Sequence, residues 1–307
     1  MTLTASQSLT ASHHRMMRQA TYAAVAVAVL LVSMKSVAFY ITGSVAMLGT
    51  LTDSVLDGAA SLLNLVAVRF SLTPADHEHR FGHGKAEALA GLGQSMFIFA
   101  SSCFIIWESV HRILVPEPVE QSLIGIIVTC VALALTLGLV TFQRRVVAQT
   151  GSLAIAADSV HYRGDLLMNV SALAAIFIAG VMGFPLADAI GGLFIAFLIG
   201  ISAVQIALAS YHQLMDAELS DADRGRIITI ANGHSDVVGI HDLRTRKSGT
   251  QTFIQFHMEL DGNMSLSKAH LISDDVEARV VEAFPEAEVI IHQDPAGLED
   301  VMPATID

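Results

Sequence analysis

Two pairs of ionisable residues stand four positions apart in this sequence: Asp53 with Asp57, and His161 with Asp165. If both segments are helical, each pair lies on one helical face. Three carboxylates and one imidazole converging from two helices would form a tetrahedral shell for a small divalent ion, at metal–ligand distances of about 2.0–2.2 Å. The competing reading is a set of unrelated ion pairs, with Lys35 or Arg163 neutralising one of the acids. Two matched pairs make that the weaker reading. Asp158, one turn before His161, is a rival ligand, but its place nearer the segment end fits a solvated entrance or helix-end role better. His111 and His212 have no ligand-spaced neighbours and read as interfacial or structural.

A second cluster is short and dense: Asp76, His77, Glu78, His79 and, past Arg80-Phe81-Gly82, His83. A solvated polar loop explains that density nearly as well as a metal site does. A third group is scattered: His241, His257, His270, His292 and Asp294. Scattered histidines are more often surface residues than ligands, and what favours ligation here is their repeated placement on one non-core side. Cys103 and Cys130 have no CxxC partner, so neither a disulfide framework nor a thiolate metal site is expected.

The elements that must position these groups follow from composition. Of 307 residues, 53% are hydrophobic and only 15% charged, against about 25% charged in soluble domains. A bilayer core needs about 20 mostly apolar residues per helical span. Ala20–Ile41, Ser44–Phe70, Leu89–Ile113, Leu123–Phe142, Ser152–Gly180 and Leu186–Ser210 meet that length, which predicts roughly six spanning helices. The first is too long and too late for a signal peptide. Ionised side chains inside such spans are costly and face a partner, cavity or pathway, which returns attention to the two pairs. Basic residues flank alternate connections: Arg15 and Arg18, then Arg69, Arg80 and Lys85, then Arg144 and Arg145. Thr42–Gly43, Pro116–Gln121 and Met182–Pro185 carry no Lys or Arg. The positive-inside rule then puts both termini in the cytoplasm, with Arg112 the one residue against it.

From Leu214 onward the chain changes character, with 18 acidic residues against 7 Lys and Arg, so nearly all of the net −12 charge lies there. Such a domain disfavours nucleic acid and anionic lipid and concentrates cations; ordinary solubility charge explains the composition equally well. Its periodicities predict a helix at Asp221–His234, strands at Val237–Lys247 and Thr252–Asp261, a helix at Ser265–Phe284 and a strand at Glu288–His292. The expected fold is an α-helical membrane protein of six transmembrane helices with a small C-terminal α/β domain of order αββαβ, helices on one face. The expected division is a disordered 1–14, a transport domain at 15–213, a cytoplasmic metal-binding and dimerisation domain at 214–297 and a flexible tail at 298–307.

At these residues the chain resembles the cation diffusion facilitator family, in particular its bacterial zinc and ferrous-iron efflux branch. The resemblance runs from the first span to His292-Gln293-Asp294-Pro295. It is carried by Leu51-Thr52-Asp53-Ser54-Val55-Leu56-Asp57, Pro74-Ala75-Asp76 with His79-Arg80-Phe81-Gly82-His83-Gly84-Lys85, the run Ala157 to Asp165, His241 to Arg246, and Ile290 to Asp294. The resemblance implies a transport site at Asp53, Asp57, His161 and Asp165, and a loop site at Asp76, His79 and His83 that leaves out His77. It further implies a cytoplasmic binuclear zinc site at His241, His257, His270, His292 and Asp294, with Asp294 the bridge. A metallochaperone-like tail holding a homodimer, and a charge interlock between Lys85 and Asp216, belong to the same pattern. The short connection Arg144–Gly151 lacks the His-rich run of the eukaryotic branch.

The implied activity is export of a cytoplasmic metal ion across the bacterial inner membrane in exchange for protons, and the protein is not expected to be an enzyme. Ligands must shed protons to bind metal, and His161 is the best single candidate for that coupling because imidazole titrates near neutral pH. One imidazole among three carboxylates suits Zn²⁺ or Cd²⁺, with Fe²⁺ open and Cu(I) disfavoured by the lack of thiolates. A membrane-bound zinc sensor is the alternative, yet it would not need paired acids in mid-membrane. A metallohydrolase would want an HExxH helix, which does not occur.

Overall fold

The computed structural model describes residues 2–115, 123–182 and 186–297. The connections at Pro116–Gln121 and Met182–Pro185 lie largely, and the tail at 298–307 wholly, outside the described residues. The chain divides into two units, one formed by Ser12–Leu214 and the other by Met215–Asp307 together with Met1–Ala11.

The larger unit is six helices: α1 Thr2–Thr42, α2 Val45–Ser71, α3 Lys85–Leu114, α4 Leu123–Thr150, α5 Leu153–Met182 and α6 Ala187–Leu214. Among the described residues, α1, α2, α3, α4 and α6 contain segments long and apolar enough to cross a membrane. The remaining helix, α5, is 30 residues long and carries Asp158, Arg163 and Asp165 in its first half. Helix α1 is assigned from Thr2, within the stretch 1–14 that the sequence reading takes as disordered. Once a long apolar helix exists, each added residue gains a hydrogen bond without a new nucleation cost.

Small residues set how closely these helices approach. Met17, Ala20, Ala24 and Ala28 recur at helical spacing along α1 and are buried. Met17, Ala20 and Ala24 meet Val68 of α2, Leu139, Val140 and Val146 of α4, and Ala154, Ile155 and Tyr162 of α5. Ile98 of α3 packs with Ile195, Ile199 and Ala203 of α6. A Cβ at Gly164 would stand 2.8 Å from Ile199 Cδ1, so glycine beside Asp165 lets α5 lie against α6. Leu63, Leu89, Phe104 and Trp107, by contrast, are exposed, as outward faces of membrane helices are.

The α4–α5 turn sets the axial position of α5. Gly151 adopts φ +66°, and its N–H bonds the Val147 carbonyl, closing α4 in a left-handed cap. Ser152 Oγ then accepts from the Ile155 N–H at 3.2 Å, starting α5. A second acceptor comes from another helix: buried Glu87 of α3 bonds the Ser152 side chain and the backbone N–H groups of Leu153 and Ala154. A carboxylate at a helix N-terminus satisfies orphan donors and faces the positive end of the helix dipole.

The smaller unit runs α7 Asp221–Asn232, β1 Gly239–Ser248, β2 Gln251–Leu260, α8 Leu266–Ala283 and β3 Ala287–Pro295. The sheet order is β1-β2-β3, antiparallel then parallel. Ile254, Phe256, Met258 and Leu260 line one face of β2 and form a core with Ile227 and Ala231 of α7 and Ala269, Ile272, Val276 and Val280 of α8. Both helices therefore cover one face, and the intervening residues of β2 are left for other work. Ser220 and Ser265 cap the helices, accepting from Asp223 N and Lys268 N. The last strand is longer than the sequence pattern predicts. It continues past His292 because Asp294 and Pro295 pair in register with Glu259 and Leu260.

Candidate metal centre

Within the helical unit, Asp57, His161 and Asp165 bring three ligand atoms within 4.8 Å of one another. His161 Nε2 lies 2.8 Å from Asp57 Oδ1 and 3.7 Å from Asp165 Oδ2, and its side chain is 10% exposed. Donors about 2.1 Å from a tetrahedral ion stand roughly 3.4 Å apart, so a divalent cation fits with small adjustments. Asp53 sits one turn before Asp57 on the same face of α2, exposed and outside this group of three. Among the described residues, Lys35 pairs directly with none of the acids. Its ammonium donates to Thr50 O at 3.0 Å and Ser54 Oγ at 2.7 Å, close enough to act electrostatically on Asp57, Asp53 and Asp165.

Asp158 is not at a solvated entrance, which corrects the sequence expectation. It is buried at 1% exposure and accepts from Gln143 at 2.6 Å, Gln94 at 3.1 Å and Ser61 at 3.5 Å. Ser61 Oγ also contacts Tyr162 Oη at 2.8 Å. A buried carboxylate is tolerated where amide and hydroxyl donors surround it, and here they come from α2, α3 and α4. Neither Gln94 nor Gln143 carries any sequence signal for this, since each comes from a different helix.

In the loop between α2 and α3, His79 Nδ1 and His83 Nε2 lie 3.2 and 3.3 Å from the two oxygens of Asp76. The three residues form a second group with metal-compatible spacing, and His77 stays outside it. The loop is ordered by its own acid. The backbone N–H of His79, helped by that of Glu78 and by the His79 ring, holds the Asp76 carboxyl below the usual carboxylate range.

The third group is a product of strand register. His241 pairs with His257 and His257 with His292, one row across all three strands. Asp294 Oδ2 lies 2.7 Å from His257 Nδ1 and 3.5 Å from His241 Nε2, and its other oxygen lies 3.2 Å from His292 Nε2. His241, His257 and Asp294 satisfy the same donor spacing as the other groups. His270 does not join them: it projects from α8, exposed, 3.5 Å from Asp274. Two further acids do. Glu259 lies 3.2 Å from His241, and Asp242 lies 3.8 Å from His257. Glu259 is two residues after His257 and so on its face, a signal that strand alternation carries. Asp242 has none, because it sits in a bulge at φ +46°. Lys85 donates to the Leu214 carbonyl at 3.2 Å in one unit, and Asp216 accepts from Arg246 at 3.4 Å in the other.

Long apolar helices with a half-buried donor set shared by two of them make this a multi-pass membrane protein built to handle cations. The chain belongs to the cation efflux family: residues 21–215 match its transmembrane domain and residues 219–296 its cytoplasmic domain. It is 46% identical to the cation-efflux pump FieF of Shewanella oneidensis over 91% of this chain and 94% of that one. The FieF of Klebsiella pneumoniae is 45% identical over 94% and 95%. The metal-bound C-terminal domain of the CzcD transporter from Thermotoga maritima is 26% identical, covering 26% of this chain and 98% of that one, with a TM-score of 0.25. The protein is a transporter that exports divalent metal cations, not an enzyme.

Proposed function

We propose that this chain exports Zn²⁺ from the cytoplasm in exchange for protons, as a homodimer in the bacterial inner membrane with both termini cytoplasmic. The observation that carries the reading is the approach of His161 Nε2 to both Asp57 and Asp165, at 2.8 and 3.7 Å. These atoms can be bridged by protons or by a metal ion, but not by both together, so binding one expels the other. Asp53, one turn away, supplies a fourth ligand. One nitrogen with carboxylate oxygens suits zinc and cadmium, and leaves ferrous iron as an alternative cargo.

Asp76, His79 and His83 form a loop site, and His241, His257, His292 and Asp294 a cytoplasmic zinc site with Asp294 as bridge. The family pattern adds His270 to that shell, pairs Lys85 with Asp216, and gives the cytoplasmic domain its role in dimerisation.

The test is metal uptake by proteoliposomes under an imposed pH gradient, with Zn²⁺, Cd²⁺ and Fe²⁺ in parallel and Asp53→Ala beside wild type. Proton-driven zinc flux that Asp53→Ala abolishes is expected. Equal flux with and without the gradient would remove antiport, and a preference for Fe²⁺ would reassign the cargo. Folded wild-type protein that binds zinc but moves no metal would favour the sensor.

A further inference from the structure

We propose that the outward groove between α4 and α5 binds one anionic phospholipid of the surrounding membrane. The groove encloses about 480 Å³ and is lined by Arg144, Arg145 and Arg163 beside Leu137, Leu166 and Leu167. All three arginines are exposed, and among the described residues none has an ion pair or hydrogen-bond partner through its side chain. An arginine facing lipid without an anion is costly. Three of them around one groove form a site of a single sign.

Their order along the helices matches an amphiphile. Arg144 and Arg145 lie within two turns of Thr150, the end of α4. Arg163 lies deeper, roughly 15 Å along α5 from Leu153 at 1.5 Å per residue, and its long stem lets the guanidinium reach back toward the surface. Leu166 and Leu167 sit one turn further in, and Leu137 about two turns further in than Arg144. A phosphate gripped by planar guanidinium forks at the shallow end, with an acyl chain along the leucines, uses both parts of the groove. Inorganic phosphate would use only the first part and leave the apolar wall uncovered.

The site also bears on transport. Arg163 is two residues from His161 and from Asp165, so it leaves α5 on the opposite side from those donors. A lipid held there fixes the outer face of the helix whose inner face carries the metal ligands. This assignment does not depend on which ion is carried.

Native mass spectrometry of the full chain, titrated with phosphatidylglycerol or phosphatidylcholine, tests it. Wild type is expected to hold one phosphatidylglycerol per chain about tenfold more tightly than phosphatidylcholine. The triple variant Arg144→Gln, Arg145→Gln, Arg163→Gln should lose that preference. If it fails to fold, Arg144→Gln alone should reduce the preference severalfold. Equal affinity for the two lipids in wild type would overturn the proposal, as would an unchanged preference in either folded variant. Full competition by millimolar inorganic phosphate, with no lipid preference, would assign the arginines to free phosphate instead.

Discussion

The helical unit and the α/β unit assemble the same donor chemistry, imidazole beside carboxylate, by different geometry. In the membrane, His161 and Asp165 are neighbours because α5 repeats every 3.6 residues, and only one further helix has to arrive to bring Asp57. In the smaller unit, His241, His257 and His292 come from three strands and meet because the ladders are in register. The difference concerns what holds each site together. A helix pair keeps its two donors whatever its neighbours do, and loses only the cross-helix ligand when it moves. A register-built site is lost whole if one strand slips. The first arrangement suits a site that must release its ion, and the second suits one that retains it.

The largest effect should come from the membrane site. His161→Ala is expected to drop pH-driven zinc uptake in proteoliposomes to the level of protein-free vesicles, while the protein still elutes as a folded species. Retained flux would mean that the two carboxylates suffice and would break the contrast. Asp294→Asn should weaken zinc binding to the cytoplasmic unit at least about tenfold by calorimetry on the full chain, because one carboxylate contacts three imidazoles. Its flux should fall far less than that of His161→Ala. Equal losses would show that the register-built site is part of the transport path.

A smaller effect is expected at Glu87. Replacing it with Ala leaves the first N–H groups of α5 without this acceptor, a cost of about 1–3 kcal/mol. Faster hydrogen exchange at Leu153 and Ala154 is the readout, and unchanged exchange would mean that Ser152 caps the helix alone. The smallest effect concerns the loop. The folded loop holds Asp76 below its usual range, so the turn is stabilised at neutral pH and loses that support only as pH falls through the lowered value. Asp76→Asn should remove the pH dependence, seen as faster exchange at Glu78 and His79 at pH 7 and no further change on acidification.

Much of this protein is legible in its sequence, for reasons particular residues make plain. Apolar runs of spanning length mark the membrane helices, because lipid tolerates no unsatisfied backbone and few charges. The spacing of Asp53 with Asp57 and of His161 with Asp165 is short-range information, carried by helical periodicity alone. Asp76, His79 and His83 are equally local, within one loop of eight residues. The alternation in β2 separates core Ile254, Phe256, Met258 and Leu260 from His257 and Glu259.

What the tertiary structure decided is whatever depends on a partner distant in the chain. Asp158 is a solvated acid by its position in sequence and a buried hub by its neighbours, since Ser61, Gln94 and Gln143 approach it from three other helices. Glu87 reads as one more polar residue beside Lys85, until the start of α5 is set against it. Asp57 lies against His161 while Asp53 stands one turn away, a difference set by how α2 packs against α5. His270 shares the composition of the tail cluster but not its strands, so register leaves it out. Sequence alone determined which residues share a face, because periodicity is a property of one element. Which faces meet depends on side-chain volumes across the interface, and those are decided only when the helices and strands are packed.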